Sequence, residues 1–198
     1  MPETSNQQPN FSPLVGRRIL LGVSGSIAAY KAAVLTRLLV KAGAEVQVIL
    51  TEAAAAFITP LTLGTLSKKS VMTGFLRNAA AGEWHNHVEL GLWADAFVVA
   101  PASANTIGQL ANGLCPNLLC AVYLSARCPV FLAPAMDVDM FAHPAVTKNL
   151  TRLRSFGNHV LASPSGELAS GLNGPGRMLE PEDIVAELER YFDNIESK

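Results

Sequence analysis

Three short segments of this sequence combine small side chains with polar groups. They read Gly25-Ser26-Ile27, Ser103-Ala104-Asn105-Thr106 and Ala135-Met136-Asp137, and each directly follows an apolar run typical of a buried strand. A helix is predicted to begin after Gly25, where the backbone N–H groups of its first turn have no partner within the helix. Small side chains let an anion reach these donors, and the helix dipole favours negative charge. We therefore predict a phosphate site, with further donors in the hydroxyl groups of Ser24, Ser26, Ser103 and Thr106.

The apolar runs are the strands of a predicted parallel sheet. They cover residues 18–23, 45–50, 96–100, 129–133 and 159–162, and helical patterns alternate with them. This alternation indicates an α/β fold, a doubly wound sheet with helices on both faces, in which ligands bind beyond the carboxyl ends of the strands. Thr51 directly follows the second strand and is included in the site. Residues 71–75 are predicted as a further short strand and residues 82–87 as irregular.

Two phosphate-binding motifs are missing from the sequence, and their absence narrows the choice of ligand. The sequence contains neither the G-x-G-x-x-G fingerprint of dinucleotide sites nor the G-x-x-x-x-G-K-[ST] motif of P-loops. Glu52 stands where a dinucleotide site would place a ribose-binding acid, but the fingerprint does not accompany it. A mononucleotide fits better, and flavin mononucleotide (FMN) is the leading candidate. The competing interpretation is that small residues only allow tight packing of helix on strand.

Composition excludes several classes of protein. Among 198 residues 49% are hydrophobic and only 16% are charged, and the net charge is −1. Such a balance gives no electrostatic case for binding nucleic acid or an anionic membrane surface, and no apolar run reaches the ~20 residues of a membrane-spanning helix. The low charged fraction suggests that other subunits cover part of the surface. We expect a homo-oligomer.

The polar N-terminal residues and the three cysteines allow predictions about domain organisation and cellular location. Residues 1–16 are predicted to form a disordered polar leader without signal-peptide features, and residues 17–198 a single FMN-binding domain. Cys115, Cys120 and Cys128 are odd in number and form no C-x-x-C pair. They predict reduced thiols and a cytoplasmic protein, and no metal site is expected.

Five stretches in family order resemble the homo-oligomeric flavin-containing cysteine decarboxylases (HFCD flavoproteins). The resemblance is strongest to the phosphopantothenoylcysteine decarboxylases of coenzyme A biosynthesis. The stretches read GVSGSIAAYK (22–31), HVELGLWAD (87–95), APASANTIGQLANGLCPNLL (100–119), APAMDVDM (133–140) and GPGRMLEP (174–181). Each is moderately specific alone, and the ordered set is strongly specific. It spans residues 17 to about 185.

The resemblance implies a three-layer, flavodoxin-like fold with FMN bound at a subunit interface. It also implies homotrimers, often assembled into dodecamers, and a following phosphopantothenate–cysteine ligase domain in many bacteria. The chain is therefore expected to be a stand-alone protein or part of a bifunctional one. The implied reaction converts phosphopantothenoylcysteine to phosphopantetheine. FMN oxidises the substrate thiol to a thioaldehyde, which lets the carboxylate leave as CO2.

Residue roles follow from the same resemblance. Gly25, Ser26 and Ile27 would bind the FMN phosphate region, and Ala135 and Met136 would lie close to the flavin ring. The segment that starts at Ser103 and runs through Ala104, Asn105 and Thr106 would continue the flavin site. His87 matches the catalytic histidine of the family, which can handle protons near neutral pH.

Two positions depart from the family pattern. The family motif Pro-Ala-Met-Asn ends here in Asp137, and an ionised aspartate has no N–H with which to hold a substrate carboxylate. It could do so only when protonated, and otherwise Arg177 or a backbone N–H must take over. The family cysteine of the glycine-rich flap is replaced by Ser170, whose hydroxyl is far less acidic than a thiol. Asp137 and Ser170 are nevertheless the expected catalytic groups beside His87, with Glu167 or a water assisting.

Alternative functions follow from these departures. One is an FMN-binding relative without full turnover, either a regulatory subunit or an enzyme that stops at the enethiol. Others are a peptidyl-cysteine decarboxylase or a flavin prenyltransferase. The prenyltransferases carry more basic residues late in the chain, where this sequence has only Arg177 in its glycine-rich stretch, and so they are disfavoured.

Overall fold

A five-stranded parallel sheet organises the molecule. The structure is a computed structural model that describes residues 12–197. The strands are β1 (Arg18–Val23), β2 (Glu45–Leu50), β3 (Leu76–Asn78), β4 (Glu83–Trp84), β5 (Ala96–Ala102), β6 (Val130–Pro134), β7 (His159–Val160), β8 (Gly166–Glu167) and β9 (Asn173–Gly174). The main sheet has the order β2-β1-β5-β6-β7, while β3 with β4 and β8 with β9 form two small antiparallel pairs.

Helices cover both faces of the sheet. They are α1 (Lys31–Lys41), α2 (Glu52–Ala55), α3 (Pro60–Ser67), α4 (His87–Trp93), α5 (Ala104–Ala111), α6 (Leu118–Ser125), α7 (Val138–Ala142), α8 (Pro144–Ser155) and α9 (Pro181–Glu196), and a 3-10 turn, Ile27–Tyr30, precedes α1. The predicted three-layer, doubly wound α/β fold is confirmed.

Two apolar cores lie on opposite faces of the sheet. On one face Leu21 of β1 belongs to a cluster that includes Leu35 of α1 and Leu188 of α9. On the other face Leu20 of β1 belongs to a cluster with side chains of α5, α6 and α8. Alternate residues of one strand therefore feed both cores, which explains why the strands read as continuous apolar runs.

The small elements differ from the sequence prediction. Residues 71–75 form no strand, and Met72 makes only an isolated bridge to Ile49. Instead β3 pairs with β4, which lies in a stretch predicted to be irregular. The five-residue helix α7 was also missed. Pairs this short carry too few residues to show a period of their own.

The predicted leader lies only partly within the described residues. Residues 1–11 lie outside them. Residues 12–16 form a turn against the core, where Leu14 is fully buried and the Ser12 hydroxyl donates to Glu189 Oε1 at 2.7 Å. The packed domain thus includes these five residues, ahead of the predicted boundary at 17. Within the described part of the chain, no helix has the length and apolar character needed to cross a bilayer.

Candidate functional site

A cleft of about 990 Å³ opens at the carboxyl edge of the sheet. It lies across the ends of β2, β1, β5 and β6, which are neighbours in the sheet, and so at the point where the strand order reverses. Ser24 and His87 do not line it, and every other predicted site residue does: Gly25, Ser26, Ile27, Thr51, Ser103, Ala104, Asn105, Thr106, Ala135, Met136, Asp137 and Ser170.

The first loop of the cleft follows β1 and contains Gly25, Ser26 and Ile27. Its main feature is a row of backbone N–H donors without partners. No acceptor within the described residues takes a hydrogen bond from the N–H groups of Gly25, Ser26 or Ile27. Gly25 is required for close packing, because a Cβ at this position would lie 2.7 Å from Ala53 Cβ. A side chain here would displace the loop from α2. The loop therefore offers an anion three adjacent donors, and the absence of a side chain keeps it in place.

Most of the predicted hydroxyl groups cap helices. Ser26 Oγ accepts from Ala28 N, Thr51 Oγ1 from Ala54 N, and Ser103 Oγ from Thr106 N. Their oxygen atoms are thus used to begin helices, which fixes the direction in which each first turn points. These capping residues therefore line the cleft and also orient the open backbone amides that face it.

Ser24 has a structural role and not the predicted ligand-binding one. It is 1% exposed, and its hydroxyl donates to Pro101 O at 2.8 Å while accepting from Ser103 N at 2.9 Å. Both bonds join the end of β1 to the end of β5. The hydroxyl is therefore occupied in holding the two central loops together.

The third loop of the cleft, Ala135-Met136-Asp137 after β6, contacts a glycine-rich flap that consists of residues 165–178. Met136 N donates to Gly176 O at 3.0 Å, and a Cβ on Gly176 would lie 2.4 Å from Met136 O. Gly176 also has a φ of 127°, a conformation that favours glycine. At the flap tip Ser170 is exposed, and its Oγ accepts from Leu172 N at 3.5 Å. The base of the flap is thus fixed to the cleft while its tip faces solvent.

A chain of charged groups ties the flap to α1. Lys31 Nζ donates to Glu180 Oε1 at 2.8 Å and to Met178 O at 3.2 Å, with only 7% of its side chain exposed. Arg177 donates to the same Glu180 oxygen at 2.8 Å. The hydrogen bond from Lys31 lowers the pKa of Glu180, and Arg177 contributes in the same direction. Both cations line the cleft and share one carboxylate.

His87 lies apart from this cleft. It begins α4, where Asn86 caps the helix through hydrogen bonds from Val88 N and Glu89 N. Its ring packs edge-on against Trp84 with centroids 5.8 Å apart, and its buried Nδ1 has no hydrogen-bond partner among the described residues. Within one chain, the structure therefore does not bring the predicted histidine to the other site residues.

Two of the three cysteines, Cys120 and Cys128, offer no replacement for the flap thiol of the family pattern. Burial raises the pKa of Cys120 to about 11, and burial likewise raises that of Cys128 to about 11. Cys120 lies in α6, and its thiol donates to Gln109 Oε1 at 3.4 Å. Buried thiols with raised pKa values are poor nucleophiles and poor proton donors near neutral pH.

Sequence reasoning missed several lining residues. Tyr30, Lys31, Gln109 and Asn117 all face the cleft. Two of them had a usable signal. Gln109 lies one helical turn after Asn105, to which it donates at 3.3 Å, and Asn117 caps α6 by accepting from Cys120 N. Helical spacing from a predicted ligand residue would have found the first, and the capping preference of asparagine the second.

Comparisons with known proteins place the chain in a family. A model of the Flavoprotein family matches residues 8–192. A cysteine/cysteine sulfinic acid decarboxylase from an unknown prokaryotic organism is 58% identical over 135 residues, which cover 68% of this chain and 37% of that protein. The coenzyme A biosynthesis bifunctional protein CoaBC of Bacillus subtilis (strain 168) is 45% identical over 179 residues, covering 90% and 44%. The chain thus spans less than half the length of these curated relatives.

Solved structures agree in fold over nearly the whole chain. A cysteine-to-serine mutant of PPC decarboxylase complexed with pantothenoylaminoethenethiol has a TM-score of 0.79 and 33% identity, and the match covers 90% of this chain and 99% of that one. The FMN-binding protein AtHal3 has a TM-score of 0.77 and 32% identity, with 90% and 97% covered. The fold is flavodoxin-like, as in these proteins. Because the family model spans far more than half of its residues, this chain belongs to the Flavoprotein family.

Proposed function

We propose that this chain is an FMN-dependent carboxy-lyase that converts phosphopantothenoylcysteine to phosphopantetheine in coenzyme A biosynthesis. The observation that carries the proposal is the row of open amides at Gly25, Ser26 and Ile27 in a cleft of about 990 Å³. The names of the relatives and of the PPC decarboxylase structure support the reaction.

The cleft suits FMN in shape and in donors. The open amides and the dipole of the following helix would hold the phosphate, since a helix start is a ready anion site. The second loop, from Ser103 to Thr106, and the third, at Ala135 and Met136, would border the ring system. When bound, FMN takes two electrons from the substrate thiol and so allows CO2 to leave.

The chain supplies recognition and proton transfer around that chemistry. Arg177 lines the cleft and would donate to the substrate carboxylate, and Glu180 accepts a hydrogen bond that holds its guanidinium in place. Asp137 and Ser170 line the same cleft as the expected catalytic groups. His87 is the remaining expected acid or base, and it needs a second subunit to reach a cleft.

Two exposed apolar faces support a homotrimer. One includes Ile27 and Tyr30 of the 3-10 turn before α1, and the other Leu92 and Val88 of α4, beside His87. The faces differ, so their contact would be head-to-tail, and we propose that three copies close it into a ring. Ile27 and Tyr30 also line the cleft, so this contact would bring a neighbouring His87 to its rim. Assembly of trimers into dodecamers, a fused or separate ligase and a cytoplasmic location remain predictions.

The test is the reaction of purified protein with phosphopantothenoylcysteine. We expect CO2 release and a product with the mass of phosphopantetheine. Release of CO2 with a product lighter by two hydrogen atoms would identify an enzyme that stops at the enethiol. Ser170, which stands in place of the family cysteine, would account for this second outcome. No CO2 from flavin-loaded protein would leave the regulatory-subunit alternative.

A second candidate substrate is free cysteine. The relative that is 58% identical is named for cysteine and cysteine sulfinic acid. The observation in this chain that favours it is the Asp137 carboxylate, which has no hydrogen-bond donor within the described residues.

A further inference from the structure

Among the described residues, nothing donates a hydrogen bond to the Asp137 carboxylate, which lies in the loop after β6. It precedes α7 at the N-cap position but accepts no capping hydrogen bond, and it is half-buried against the cleft. N-cap aspartates ordinarily accept from the N–H groups of the first turn. The side chain therefore presents its oxygen atoms to the cleft and not to its own helix.

The charge balance of the cleft selects the kind of group that Asp137 can bind. The cations Lys31 and Arg177 line the cleft but share Glu180, whereas Asp137, Glu52 and Glu167 line it without an ion pair among the described residues. A carboxylate accepts hydrogen bonds and donates none. Asp137 is thus suited to a donor on the ligand, and a cationic donor gives the strongest bond.

A cysteine-type substrate carries such a donor next to its carboxylate. In an N-acylated substrate the donor is a single neutral amide N–H, and in free cysteine it is an ammonium group with three N–H bonds. Arg177, on the flap and lining the same cleft, provides the matching donor for the substrate carboxylate. The cleft therefore offers an acidic and a basic group to the two ends of an amino acid zwitterion.

We propose that Asp137 binds the α-ammonium group of L-cysteine, so that this site also decarboxylates the unacylated amino acid to cysteamine. The inference rests on the proposed FMN-dependent reaction. As the CH2–SH group becomes CH=S, it loses two electrons and two protons, which bound FMN would take up. The bond from Cα to the carboxylate then breaks, and its electron pair moves into the C=S group. CO2 leaves, and the same two electrons with two protons return to the enethiol. Cysteine gives cysteamine and CO2 without an outside oxidant.

The test compares L-cysteine with N-acetyl-L-cysteine, which differs only in the charge and shape of the amine. We expect kcat/KM for CO2 release from flavin-loaded protein to favour L-cysteine by about tenfold or more. Asp137→Asn should remove that preference. Asp139→Asn is the matched control, because it makes the same change two residues away on a side chain that does not line the cleft. It should keep the preference.

A second measurement needs no variant. Cysteamine and N-acetylcysteamine are compared as inhibitors of phosphopantothenoylcysteine turnover, and we expect cysteamine to inhibit more strongly. Equal or reversed preferences in both experiments would overturn the inference. Turnover of phosphopantothenoylcysteine without any turnover of L-cysteine would overturn it while leaving the proposed function intact. No CO2 from any of the substrates would overturn both.

Discussion

Gly25 is the residue at which the addition of a single methyl group should most disturb the predicted phosphate site. Replacing it by alanine places a Cβ 2.7 Å from Ala53 Cβ, so the loop must move. Overpacking of this kind costs about 1–3 kcal/mol, and the displaced amides no longer converge on one anion. We expect Gly25→Ala to weaken FMN binding by about tenfold or more in a fluorescence titration.

The control for this substitution is Gly74→Ala. A Cβ at Gly74 meets nothing within 4 Å, and the residue has no positive φ. FMN affinity should stay as in the unsubstituted chain. An unchanged affinity in Gly25→Ala would show that this loop does not hold the phosphate.

For individual residues, the sequence predicts which positions form the site better than it predicts what each side chain does there. The small residues at 25–27 predict an open loop, and the loop is open. Ser24 looked like a ligand hydroxyl but bonds to Pro101 O and Ser103 N, because two strands distant in sequence meet there. Contacts of this kind depend on strand order, which a local pattern does not contain.

Among the elements, the flap depends on α1 through Glu180. Replacing Glu180 by glutamine removes the charge that pairs with Lys31 and Arg177. Because 40% of the Glu180 side chain is exposed, solvent screening limits the loss to about 0.2–1 kcal/mol of unfolding free energy. A larger effect is expected on function, as a rise in KM from a less ordered Arg177.

The loss of unfolding free energy in Glu180→Gln should depend on pH in a direction that the pKa of Glu180 determines. The folded pKa of Glu180 is lowered by Lys31, so its contribution to stability is present above the unfolded pKa of about 4.3. It disappears as the pH falls through the lower folded pKa. Chemical denaturation at several pH values should show the unsubstituted chain and Glu180→Gln converging in acid. Glu182→Gln, in the first turn of α9, removes only the interaction of a carboxylate with the helix dipole and should lose less stability than Glu180→Gln. A loss equal to that of Glu180→Gln would contradict the pairing.

The long elements were predictable because their patterns repeat. The five sheet strands are predicted at nearly their observed bounds, and helices alternate with them as predicted. The β3–β4 pair was missed, since two residues of β4 give no alternation to detect.

For the whole molecule, the exposed apolar faces should govern assembly. Leu92 is 51% exposed on the face beside His87. Leu92→Arg would place an unpaired charge in the proposed contact, which is costly to bury. We expect light scattering to give about three times the 21.0 kDa chain mass for the unsubstituted protein and a single chain for this variant.

The matched control is Ile195→Arg, at an equally exposed position near the end of α9 and outside both apolar faces. It should assemble like the unsubstituted protein. A monomeric unsubstituted protein would remove the proposed route by which His87 reaches a cleft.

The most direct test of the account is the absorption spectrum of the purified protein, before and after addition of FMN. The open amides at the ends of the central strands predict a flavin band at about one FMN per chain, retained through gel filtration. A colourless protein that takes up no added FMN would contradict the account at its centre.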